Sequence, residues 1–158
     1  MQHQVNVSAT EPLRLMGTLR IFINKKGEDT WEPFWEGHNL ITYAGMNKLL
    51  ATLVNVANTS YFGYIAVSTS TAATSASNTT LPGEVFRKAI DSATANTSTR
   101  SVTLQTTLNF TDASGNALTK YGHLSAAVAG TLLNETNHTL INKTTSIQVM
   151  YQYTLAMV

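Results

Sequence analysis

The 158-residue chain contains no cysteine, an absence that removes disulfides, thiolate metal sites and cysteine nucleophiles together. Its stability has to come from packing or from assembly. Charge is scarce as well: Asp, Glu, Lys and Arg make up 12% of the residues, against roughly 25% in ordinary globular proteins, and they sum to +1. Recognition of phosphate needs clustered basic residues, and the adjacent Lys25 and Lys26 sit between Asn24 and Gly27 in what reads as a hairpin turn. Neither nucleic acid nor an anionic membrane is therefore an expected partner. No apolar run approaches the ~18 residues of a membrane span, and MQHQVNVSATEP lacks the basic start and apolar stretch of a signal peptide. The chain is expected to be made and kept in the cytoplasm.

Chemistry-bearing patterns are missing too. His3, His38, His123 and His138 are dispersed, none within two to four residues of another, so no metal site is expected. There is no G-x-S-x-G elbow, no H-E-x-x-H pair and no glycine-rich phosphate loop. Asp112-Ala113-Ser114-Gly115 reads as a turn and lacks the acidic spacing of a calcium loop. The expectation is a protein with no cofactor, no catalytic residues and no enzymatic activity.

What fills the composition is Thr, Ser and Asn, which hydrogen-bond without ionising and, for Thr, favour strands. The pattern predicts a mainly β protein, an antiparallel β-sandwich with one packed amphipathic α-helix. Residues 1–14 read as a polar N-terminal arm and 15–158 as a single sandwich domain, a length that buries roughly 70% of its unfolded surface. Leu19, Ile21 and Ile23 share one face of a first strand, Arg20, Phe22 and Asn24 the other. After the turn, Trp31, Phe34 and Trp35 return, with Pro33 marking an edge position or a break because proline donates no ladder hydrogen bond.

Thr42 is the expected N-cap of a helix reaching Val54, with Met46, Leu49, Leu50 and Leu53 forming its apolar stripe. A strand is predicted from Tyr61 to Val67, followed by a low-complexity surface loop from Ser68 to Thr80. The cleanest alternation runs from Val102 to Phe110. A last strand carries Ile147, Val149, Tyr151, Tyr153, Leu155 and Met157 on one face. Glu84 and Arg87, in the edge segment Leu81 to Ile90, are a candidate structural ion pair rather than a catalytic acid with its orienting cation.

Four segments in fixed order carry a resemblance: NLITYAGMNKLL (Asn39 to Leu50), YIAVSTST (Tyr64 to Thr71), LPGEVFRKAI (Leu81 to Ile90) and the closing run from Lys120 to Leu155. Together the chain resembles a domain of tailed-bacteriophage structural proteins. That domain reads N-L-I-x-x-x-G, then I-A-V-G-T-G, then T-x-L-x-x-E-V-x-R-K, then a block running through G-x-L-L and K-T into a terminal strand. Ser68 and Ser70 stand where that pattern has glycines, and Lys120 where it tends to have glutamate. The resemblance implies a virion building block: a capsid decoration (cement) subunit, or alternatively a tail-fibre or baseplate adaptor. It implies a homo-oligomer, a trimer, whose partners are the major capsid protein or tail proteins. A chain ending just past its last strand fits a self-contained subunit better than a fibre base. Candidate contact residues are Val5, Val7 and Leu13 of the arm and Trp31, Phe34 and Trp35 of the hairpin.

A binding module is the reading from another class, with Trp31, Phe34, Trp35, Tyr61 and Tyr64 forming an aromatic face for a host glycan. Eight Asn-x-Ser/Thr triplets also occur, at Asn6, Asn58, Asn78, Asn96, Asn109, Asn134, Asn137 and Asn142. They read as Thr-rich strand and loop composition rather than as glycan acceptors, because no export signal accompanies them.

Overall fold

Alternation and turn chemistry build the first hairpin as expected. In the computed structural model, which describes residues 14–54 and 62–158, β1 (Leu15–Lys25) buries Leu19 and Ile21 and exposes Arg20. Gly27 adopts φ 91° in the turn, where Glu28 N donates to Lys25 O at 3.0 Å. Asn24 is buried beside it, its amide donating to the carbonyls of Glu28 and Thr30, both at 2.8 Å. The chain returns as β2 (Glu32–His38), an edge strand that accommodates Pro33.

A short β3 (Leu40–Ile41) then crosses to a second sheet and leads into α1 (Tyr43–Val54). β4 (Tyr64–Ser68) and β5 (Glu84–Ala89) follow in that sheet, and β6 (Ser92–Asn96) and β7 (Ser101–Leu108) return to the first. β8 (Asn116–Leu124) and β9 (Leu132–Lys143) pair in the second sheet, and β10 (Ile147–Met157) closes the first between β1 and β7. The sheet orders are β2-β1-β10-β7-β6 and β3-β9-β8-β4-β5, with every pairing antiparallel. The fold is a mainly β, antiparallel sandwich with one helix.

Leu19, Ile21, Leu108, Val149, Tyr151 and Tyr153 of the first sheet meet Ile65, Val67, Leu118, Tyr121 and Ile141 of the second in the main core. Each fully buried aliphatic side chain there contributes about 1.5–3 kcal/mol. The second sheet is covered on its other face as well. Ala66, Leu81, Leu124 and Leu132 form a satellite cluster there with Tyr64.

The helix docks on this outer side through Thr42. Its hydroxyl accepts from Gly45 N at 3.0 Å, the expected cap, and donates to Leu132 O of β9 at 2.5 Å. Gly45 then lies so close to β9 that a Cβ would stand 2.5 Å from Leu133 Cα. The expected stripe is corrected at Leu50, which is 55% exposed, while Gly45 is buried and Met46 and Leu49 are half-buried; the burial of Leu53 lies outside the described residues. The stripe follows the close approach at Gly45 rather than the largest side chains.

Other expectations shift at their boundaries. The strand predicted from Tyr61 begins at Tyr64, and the one predicted to Phe110 ends at Leu108. Ser68 is not a surface-loop residue. It is the fully buried last residue of β4, and its hydroxyl accepts from Ser70 N at 2.9 Å and donates to Pro82 O at 2.5 Å.

Candidate functional site

Arg87 and Glu84 lie on the edge strand β5 and form a two-point pair. Nη2 stands 2.6 Å from Oε2 and Nε 2.7 Å from Oε1, with both side chains largely shielded. The remaining Nη1 donates to the carbonyls of Ala126 at 2.8 Å and Ala129 at 2.5 Å. Ala129 and Gly130 both have left-handed backbone, at φ 55° and 85°. Arg87 thus clamps the strained β8–β9 connection to the sheet edge. Lys120 plays no part in this pair.

Lys120 is instead fully buried and stands 3.4 Å from Oε2 of Glu135, which is equally buried. Glu135 Oε1 accepts from the Ser75 backbone N–H at 2.5 Å and from Asn78 Nδ2 at 2.9 Å. One carboxylate ties β8, β9 and the Ser/Thr-rich loop together. Sequence reasoning missed this hub, because nothing local marks a lysine and a glutamate fifteen residues apart as partners.

Lys88 links the two sheets at their shared edge. Its Nζ donates to Thr107 O at 2.7 Å and lies 3.4 Å from Asp112 and 3.7 Å from Asp91. In the core, Tyr121 stacks on Tyr151 at 5.2 Å, and His123 packs against Tyr153 at 4.7 Å and hydrogen-bonds the Tyr121 hydroxyl at 3.0 Å. Burial pushes His123 down to about 3 and lowers His138, while it raises Tyr121 and Tyr151 and takes Tyr153 up to about 12. All are buried and held neutral at ordinary pH. Their rings pack against one another across the two sheets.

The hairpin contact candidates divide. Trp35 turns inward against the core, its ring 6.2 Å from that of His138. Phe34 is 38% exposed at the bulge between the Ile21–Trp35 and Phe22–Pro33 pairs, and Trp31 is half-buried just before β2. Val5, Val7, Leu13 and Tyr61 lie outside the described residues. Tyr64 belongs to the second sheet and packs in the satellite cluster, so the single aromatic face expected of a glycan module is corrected: its described members sit on different sheets.

A surface feature invisible to periodicity lies at the open end of the first sheet. Leu15, Ala95, Val102, Leu155 and Met157 line an apolar groove of about 410 Å³ with Arg100 at its rim. The second sheet does not cover this stretch of the inner face.

Among the triplets, Asn134 is fully buried and its carbonyl accepts from His123 N at 3.3 Å, so no glycan fits there. Among the described residues no group of three or more His, Asp or Glu is placed to hold a metal, and no helix is long and apolar enough to cross a membrane. Comparison with protein-family models, curated proteins and solved structures gave no match.

Proposed function

We propose that this chain is a non-enzymatic structural subunit of a tailed-bacteriophage virion, a capsid decoration protein that self-associates and contacts the major capsid protein. The observation that carries the reading is where the resembling segments fall. Asn39 to Leu50 contains β3 and most of α1, Tyr64 to Thr71 contains β4, Leu81 to Ile90 contains β5, and the closing run contributes the end of β8, all of β9 and β10 as far as Leu155. All of these except β10, which lies in the first sheet, belong to the second sheet and its covering helix.

Several motif residues have a structural task there. Gly45 admits the helix to β9, Glu84 and Arg87 clamp the β8–β9 connection, and Leu132 and Leu133 receive the Thr42 hydroxyl. Such a layer is a rigid scaffold whose purpose is shape. A subunit of this kind acts by burying surface at capsid junctions, where obligate interfaces cover ~2,000 Å² or more.

The experiment is to fractionate purified particles into heads and tails and count this chain against the major capsid protein. Copies comparable in number to the capsid protein and following the heads support decoration. A handful following the tails makes the chain a tail adaptor instead, and absence from particles removes the virion reading altogether.

A further inference from the structure

The apolar groove and the strand beside it call for the same occupant. β6 ends the first sheet, its five residues Ser92, Ala93, Thr94, Ala95 and Asn96 are all exposed, and its register with β7 runs without a bulge. None of these residues is charged and none is proline, the usual devices that blunt an edge, so its outer N–H and C=O groups form a template for another strand. The groove continues from this edge over Ala95, Val102, Leu155 and Met157, and Met157 is 43% exposed.

The described chain begins beside that groove, and residues 1–13 precede it in sequence. Arg14 N donates to Val158 O at 2.7 Å and Val158 N to Arg14 O at 2.9 Å, which holds the chain in line with β1 up to Arg14, and Leu15 itself lines the groove. The described chain thus begins at the very end of its own sheet. By sequence, Ser8 to Leu13 has no Gly, Asn or Asp of the kind that favours a reversal, and Pro12 disfavours helical backbone at Glu11. Thirteen extended residues reach roughly 43 Å, enough to lie across a neighbouring subunit. Val5 and Val7 alternate with Gln4, Asn6 and Ser8, giving the segment one apolar face, and Glu11 is its one acid, complementary to Arg100 at the groove rim.

We propose that residues 1–13 of one copy of this chain add as a strand to β6 of a second copy, seating Val5 and Val7 in the groove beside Ala95, Val102 and Leu155. Donor and acceptor are different patches, so every copy can give one arm and receive another, an arrangement compatible with a closed trimer. The inference rests on the self-associating subunit proposed above.

The absence of cysteine makes the test clean. Val5→Cys or Val7→Cys is combined with Ala93→Cys or Ala95→Cys in the full chain, which is oxidised and resolved without reductant while native mass is measured in parallel. Thiol-reversible species of two or more chains are expected, from a protein that is multimeric before oxidation. A bridge within one chain overturns the exchange. No bridge in a protein that is still multimeric overturns the exchange and leaves self-association standing; no bridge in a monomer removes both. As a second measurement, a peptide of residues 1–13 should bind the chain lacking them saturably. Asp at both valine positions should weaken it on the order of a hundredfold, and equal binding of the two peptides overturns the seating of Val5 and Val7.

Discussion

Lys120 Nζ lies 3.4 Å from Glu135 Oε2 across β8 and β9, and both side chains are wholly shielded from water. Breaking such a pair leaves a buried charge alone, whereas replacing both members can be nearly neutral. Glu135→Gln is expected to cost about 3–5 kcal/mol. The double variant Lys120→Met with Glu135→Gln should recover most of that loss, as a double-mutant cycle by urea denaturation would show. Additive losses would mean that the two groups do not depend on each other.

Gly45→Ala sets two effects against each other. Helix propensity favours alanine by about 1 kcal/mol. The added Cβ, however, would stand 2.5 Å from the Leu133 backbone, and overpacking of this kind costs about 1–3 kcal/mol or more. The variant is expected to melt at lower temperature than the parent. A higher melting temperature would show that the helix does not approach β9 so closely.

The pH dependence of stability follows from His123, which burial lowers from 6.5 to about 3. As pH falls through that window the unfolded chain binds a proton that the folded chain does not, so stability is present above about 6.5 and is lost on acidification. The loss is at most about 1.4 kcal/mol per pH unit for each such histidine, and His138 shifts in the same direction. Denaturation midpoints measured between pH 5 and 6.5 should slope less for His123→Gln than for the parent. Identical slopes would assign the dependence elsewhere.

Arg87→Lys keeps the charge but gives up the two-point geometry with Glu84 and cannot hold both loop carbonyls in the same way. The expected loss is about 1–3 kcal/mol. Hydrogen exchange should accelerate at the amides of residues 126–130, with the β1–β10 pairing unchanged. Uniform acceleration across the fold would mean that Arg87 supports the sandwich as a whole rather than the one connection.

What was legible in the sequence was whatever one face of water dictates locally. β1, β7 and β10 lie in the first sheet, which has one covered face, and their alternation was readable residue by residue. Thr42 as a cap and Gly27 as a turn were readable for the same reason, since their chemistry is satisfied by neighbours a few residues away. The second sheet is different because it is covered on both faces, by the first sheet and by the helix with the Ser/Thr-rich segment. β8 and β9 therefore bury Lys120, His123, Asn134 and Glu135 alongside leucines, and no alternation survives. β6 failed in the opposite way, being exposed along its whole length with no apolar face to announce it. Composition and short-range pattern alone determined a cysteine-free, weakly charged β protein with one capped helix. The pairing of Lys120 with Glu135, the clamp at Arg87 and the groove at the end of the first sheet were decided only by tertiary structure, because each joins residues that meet through strand order and not through sequence spacing.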